Sequence, residues 1–277
     1  MCELLGMSAN VPTDICFSFS GLMQRGGGTG PHRDGWGISF YEGKGIRSFH
    51  DPKPSVDSEI AHLIRQHPIK SLVVISHIRQ ANVGSVCLEN THPFIRELWG
   101  YSWSFAHNGQ LDPKVFDELT LSFYQPVGTT DSEFAFCWLL GELRAAFPSK
   151  PDDMTPVLDF IHQCCERLRS YGVYNMMLSE SSLLICYCTT KLSWITRQTP
   201  FGEARLMDHE LTVDFCEETQ ENDIVTVIAT EPLTDNEVWT PLETGELLVF
   251  KKGGVMDQRK AQIDPTEESN DAGTEQG

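Results

Sequence analysis

Apolar residues recur at helical spacing in four stretches. Residues 13–25 follow Pro12, set Ile15, Phe19 and Leu22 on one side, and stop at Gly26-Gly27-Gly28. Residues 57–67 carry Ile60, Leu63 and Ile64 at the same spacing. Thr130-Asp131-Ser132-Glu133 has the form of a capping box, and Phe134, Trp138 and Leu139 follow it. Residues 154–171 are amphipathic, with Thr155 to cap them, Pro156 in the first turn and Gly172 to end them. Strand signals surround these helices. Residues 72–78 form a nearly continuous β-rich run, as a buried strand does. Trp103, Phe105 and His107 alternate with Ser102, Ser104 and Ala106. Residues 174–178 and 183–187 flank the polar turn 179–182 as hairpin arms. Residues 194–197, 224–229 and 247–251 add strands, the last after a turn at Glu243-Thr244-Gly245. Strands outnumber helices and come in hairpin pairs. This predicts an α+β domain of antiparallel sheets covered by helices.

Composition narrows the picture. The chain has 277 residues, 40% hydrophobic and 22% charged, with no linker-like stretch dividing it, so one domain is expected. A net charge of −18 argues against nucleic acid as a partner, because phosphate backbones are repelled. Part of that charge lies in an acidic, polar stretch from about residue 264, which is expected to be disordered. Apolar runs fall short of the roughly 18 residues of a membrane span, and the N-terminal stretch lacks the pattern of a signal peptide. A cytoplasmic protein is therefore expected. Nine cysteines, an odd number, in a reducing compartment predict no disulfide framework. Apart from Cys2 they are read as small buried hydrophobes. The Gly26 to Gly30 run follows a helix and lacks a Lys-Ser/Thr ending, so it reads as a flexible loop and not as a phosphate cradle.

Cys2 stands at a position where removal of Met1 would leave a thiol and a free α-amine on one residue. Such an amine has a pKa of about 7.7–8, against about 8.5 for the thiol, and so it accepts the thiol proton near neutral pH. This is a self-contained activated nucleophile. Asn108-Gly109 ends an alternating strand. The pair reads either as a simple turn or as an oxyanion hole made of the Asn amide and the Gly backbone N–H. Arg79 ends a buried strand and must find a partner or a ligand. Its guanidinium fork suits a carboxylate. Asp131 at a helix start either caps or binds an ammonium. One Arg and one Asp together suit a substrate that is zwitterionic at one end. His77, His92 and His107 lie on or beside strands but lack metal-ligand spacing, so no metal and no cofactor is expected.

Taken in order, Met1-Cys2, Asp34-Gly35-Trp36-Gly37, Ser76-His77-Ile78-Arg79, Asn90-Thr91-His92-Pro93-Phe94, His107-Asn108-Gly109 and Thr130-Asp131-Ser132-Glu133 resemble the class II (type 2) glutamine amidotransferase family, of the N-terminal-nucleophile (Ntn) hydrolase superfamily. The resemblance is nearest the single-domain YafJ-like subgroup. It covers residues 2–252 as the amidotransferase domain and leaves 253–277 as a C-terminal extension. It implies a four-layer αββα sandwich of two antiparallel sheets between helices. It also implies roles. Cys2 is the nucleophile with its own amine as base, and Asn108 and Gly109 form the oxyanion hole. Arg79 holds the substrate carboxylate, Asp131 the α-amine, and His92 lines the pocket.

Two departures matter. The larger synthases of the family carry an aromatic residue and a Thr where this chain has Gln80 and Asn82, which alters the pocket wall. Little chain remains after the last strand to build an ammonia-accepting domain. The implied activity is attack on the γ-amide of glutamine or of another γ-glutamyl compound, through a γ-glutamyl thioester. Either a partner protein accepts the ammonia or water completes the reaction. The non-enzymatic alternative is an inactive glutamine-sensing regulatory subunit.

Overall fold

A computed structural model describes residues 2–81, 84–217 and 219–261. The expected disorder from about residue 264, and Asn82, lie outside the described residues. In chain order the strands are β1 (Glu3–Thr13), β2 (Trp36–Glu42), β3 (Gly45–Asp51), β4 (Ser71–Ile78), β5 (Phe94–Leu98), β6 (Tyr101–Leu111), β7 (Gly172–Ser179) and β8 (Leu184–Cys188). They continue with β9 (Ser193–Arg197), β10 (Glu203–Arg205), β11 (Thr212–Asp214), β12 (Val225–Ala229), β13 (Thr240–Pro241), β14 (Glu246–Lys251) and β15 (Gly254–Arg259). The helices are α1 (Cys16–Arg25), α2 (Glu59–Gln66), α3 (Val115–Glu118), α4 (Asp131–Ala146) and α5 (Thr155–Arg169).

One sheet has the order β13-β9-β12-β1-β4-β2-β3, and the other β15-β14-β8-β7-β6-β5. Three clusters of buried side chains show how they stack. Leu5, Met7, Ile38 and Val74 face Phe19, Leu22, Ala61 and Ile64 of α1 and α2. Trp103, Phe105, Met176 and Ile185 face α4 and α5, with Phe105 stacked on Phe136 at 4.9 Å. Leu4, Val73, Ile75, Ala106, Met177, Leu184 and Phe250 fill the space between the sheets. Neighbouring residues on one strand therefore enter different clusters, as a period of two requires. The result is the expected αββα sandwich. Each fully buried Leu or Phe contributes about 1.5–3 kcal/mol. Among the described residues no helix is long and apolar enough to cross a membrane.

Local expectations met mixed outcomes. The hairpin β7–β8 and the strands β4, β9, β12 and β14 form where patterning put them. The helix expected over 13–25 begins three residues later. Thr13 belongs to β1 and pairs with Ser71, while Asp14 Oδ1 accepts the Cys16 amide. The helix read over 57–67 is the shorter α2, capped by Ser58. Thr155 does not cap α5. Met154 holds that position with no side-chain bond, and α5 ends before Gly172. Thr130 does cap α4, accepting the Glu133 amide at 3.2 Å. The reciprocal half of the box is absent, because the Glu133 carboxylate takes the Val127 and Gly128 amides and pairs with Arg96. Gly26 bridges Pro31, Arg33 donates to the Gly27 carbonyl, and Thr29 donates to Asp208. All nine cysteines are free, but Cys16 and Cys87 are half-buried and Cys216 is exposed, so the reading of uniformly buried cysteines fails there.

Candidate active site

Strand β1 begins at Glu3, one residue after Cys2, and runs in the middle of its sheet between β12 and β4. The register Glu3↔Ile78 sets Cys2 beside the chain leaving β4. There the Gln80 amide donates to Cys2 Sγ at 3.4 Å, and Sγ lies 3.5 Å from the Gln80 carbonyl. The strand start is fixed by a buried cation. Arg25, at the end of α1, donates to Glu3 at 2.8 Å, to Asp208 at 2.6 Å and to the Pro232 carbonyl at 2.6 Å. Charge-assisted bonds of this kind are the strong ones.

Arg79 follows the buried strand β4 and is only 3% exposed. Its guanidinium donates to the Ser85 carbonyl at 2.9 Å and the Gly84 carbonyl at 3.5 Å. Two sequence motifs hold this segment. Asp34 accepts the Ala81 amide at 2.7 Å, while backbone bonds join Asp34 to the Arg79 carbonyl and the Arg79 amide to Gly35. Asn90 donates to Ser85 and Thr129 and accepts the Thr129 amide. Gly37 fits because a Cβ there would meet the His92 carbonyl at 2.2 Å.

The second sheet supplies the facing wall. Asn108-Gly109 is not a turn, since β6 runs through it to Leu111, paired throughout with β7. A Cβ on Gly109 would stand 1.8 Å from the Val173 carbonyl, so the sheet admits only glycine there. Asp131, at the start of α4, accepts the Leu111 amide at 2.8 Å and the Ser132 amide at 2.9 Å. His107 bonds Ser132 Oγ through Nδ1 at 2.8 Å and the Val173 carbonyl through Nε2 at 3.0 Å. His92 stacks on His77, with centroids 4.2 Å apart, and on Phe94.

Cys2, Arg79, Gln80, Ala81, His92, His107, Gly109, Gln110, Thr130, Asp131 and Ser132 line one cleft. The cleft has a volume of about 30 Å³. The sequence-read residues Cys2, Arg79, His92, Gly109 and Asp131 therefore come together from five separate segments. Asn108 does not line the cleft. It is buried, its Nδ2 donates to Thr230 Oγ1 at 3.3 Å, and its Oδ1 has no partner among the described residues. Sequence reasoning missed Ser132 and Thr230 altogether. Ser132 lay within a recognised motif, and Thr230 carried no local signal.

Burial dominates the electrostatics. It pushes the Cys2 thiol up, against the pull of the Gln80 amide and Arg79, with Asp131 adding to the rise. It holds His77 and His92 well below the usual imidazole range, helped by the neighbouring histidines and Arg79. His107 is also lowered by burial, against Asp131 and the Val173 carbonyl. Among the described residues no group of three or more His, Cys, Asp or Glu side chains is placed to hold a metal ion.

Known proteins resemble this chain in sequence and fold. The family model for class-II glutamine amidotransferases matches residues 1–274. YafJ of Escherichia coli (strain K12) is 58% identical over 253 residues, covering 91% of this chain and 98% of that one. The crystal structure of a predicted glutamine amidotransferase from Pseudomonas aeruginosa PA01 is 56% identical, superposes with a TM-score of 0.75, and covers 92% of this chain and 100% of its own. Glutamine phosphoribosylpyrophosphate amidotransferase from B. subtilis, at 16% identity and a TM-score of 0.60, shares the fold over 95% of this chain and half of its own. With its two antiparallel sheets between helices and a matched family model along nearly its whole length, this chain belongs to the class II glutamine amidotransferases, of the Ntn-hydrolase fold.

Proposed function

We propose that the chain is a γ-glutamyl amidohydrolase in which Cys2, freed of Met1, attacks the γ-carbonyl of glutamine or of a related γ-glutamyl amide. The observation that carries this reading is the convergence of Cys2, Arg79, Gly109 and Asp131 on one cleft. Burial keeps the thiol protonated at neutral pH, so the thiolate forms as the Cys2 α-amine takes its proton. Sulfur then bonds the carbonyl carbon of the γ-amide, and the carbonyl π pair moves onto oxygen. The Gly109 N–H and the Asn108 amide receive that oxyanion. The Cys2 ammonium returns its proton to the leaving nitrogen, ammonia or an amine departs, and a γ-glutamyl thioester remains. Water, activated by the same amine, releases glutamate. Arg79 takes the substrate α-carboxylate, Asp131 its α-ammonium, and His92 lines the wall. Ammonia passes to an accepting partner protein or to solvent.

Treatment with 6-diazo-5-oxo-L-norleucine, a glutamine-shaped electrophile, followed by peptide mass spectrometry, tests the reading. An adduct on an N-terminal Cys2 is expected. Labelling elsewhere, or none, would overturn it, and an intact Met1 on the native protein would favour the sensing subunit instead.

A further inference from the structure

His107 and Ser132 touch through one atom pair, and the direction of the proton between them is fixed by a third group. His107 Nε2 lies 3.0 Å from the Val173 carbonyl, which only accepts. Nε2 must therefore carry a hydrogen, since two lone pairs would otherwise face each other at that distance. The ring is fully enclosed, and burial favours its neutral form, so one proton is all it holds. Nδ1 is then an acceptor, and the Ser132 hydroxyl 2.8 Å away is its donor. Ser132 Oγ also lies 3.5 Å from Asp131 Oδ1, a much longer and weaker contact than the 2.8 Å bond to His107.

A hydroxyl has one hydrogen and two lone pairs. With its hydrogen committed to His107, Ser132 turns only lone pairs toward the cleft that it lines with Asp131. Two oxygen acceptors side by side, one anionic and one neutral, suit a group with several N–H donors. Ser132 is 6% exposed, so a ligand there is largely shielded from water.

On the γ-glutamyl reading above, we propose that Ser132 is a second acceptor for the substrate α-ammonium, beside Asp131, and that His107 is the positioning residue that makes it one by taking its only proton. The pair thus selects for a free α-amine on the substrate. It separates γ-glutamyl compounds from the corresponding glutaryl amides, which share the carboxylate and the γ-amide.

The test compares the second-order rates at which Cys2 is alkylated by 6-diazo-5-oxo-L-norleucine and by its des-amino analogue, 6-diazo-5-oxohexanoate. The wild-type protein is expected to prefer the amine-bearing reagent. Ser132→Ala should lower that preference about 10- to 100-fold, the loss of a hydrogen bond to a charged group, with the des-amino rate falling far less than the rate of the amine-bearing reagent. Ser132→Thr should keep the preference and Ser132→Val should lose it. That pair matches in shape and replaces the alanine variant if it does not fold. His107→Leu should reduce the preference by about 2- to 10-fold, as the hydroxyl is freed to rotate. Equal losses for both reagents, or an unchanged preference in Ser132→Ala and Ser132→Val, would overturn the role of Ser132 alone. Failure of the wild-type Cys2 to react with either reagent would overturn the γ-glutamyl reading, and this proposal with it.

Discussion

Asn108 is buried, with its amide nitrogen on Thr230 and its amide oxygen without a partner among the described residues. A buried polar atom left unpaired costs about 1–3 kcal/mol. A half-turn of the amide lets the Thr230 hydroxyl donate to Oδ1 and moves the vacancy to an N–H. In the proposed reaction that N–H meets the developing oxyanion. Asn108→Ala is therefore expected to reduce turnover about 100- to 1000-fold, with the thermal midpoint little changed. Wild-type turnover in that variant would remove the side chain from the oxyanion hole. Arg79→Lys keeps the charge but loses the two-pronged fork, and should raise KM for γ-glutamyl substrates more than it lowers kcat. Steady-state kinetics separate the two effects, and an unchanged KM would free Arg79 of carboxylate binding.

At the scale of elements, close backbone approach sets the limits. Gly109→Ala pushes a methyl into the Val173 carbonyl, so β6 and β7 must part where the cleft is built. We expect a loss of about 1–3 kcal/mol in urea unfolding, and activity lost with it. An alanine there at full stability would contradict the register. The same scale explains what could be read in advance. Arg79 and Asp131 were legible because they sit at element ends that local patterning marks, after the run ending at Ile78 and after the cap Thr130. Strand β1 was not. Its outward Leu5, Met7 and Ala9 alternate with Gly6 and Ser8, which look solvent-facing in sequence but lie against the second sheet or its turns. Asn-Gly looked like a turn because that dipeptide is one wherever no neighbouring strand confines it. The links Ser132–His107 and Asn108–Thr230 span 25 and 122 positions, and no local pattern encodes them.

At the scale of the whole molecule, burial lowers four imidazoles among the described residues, His50, His77, His92 and His107. In the unfolded chain each binds a proton near pH 6.5, as usual for histidine. Their folded values are lower, so below about pH 6.5 the unfolded state binds more protons and gains on the native one. The stabilisation is thus present above about pH 6.5 and lost as the pH falls toward the folded values. Urea midpoints should stay level above about pH 7 and drop between about pH 6.5 and 5. His77→Phe should make that drop shallower, and a midpoint flat down to pH 5 would show that the rings are not buried neutral.

The central place of β1 has a consequence for how the protein is made. Leu4 donates its amide to Thr230, a partner 226 positions away. Strand β1 must wait beside the emerging chain until its neighbour β12 has been synthesised. Through that interval the N-terminus is open to processing enzymes. Once β12 docks and Arg25 closes on Glu3, Cys2 is half-buried. On the proposed chemistry, excision of Met1 is expected to precede the docking of β12.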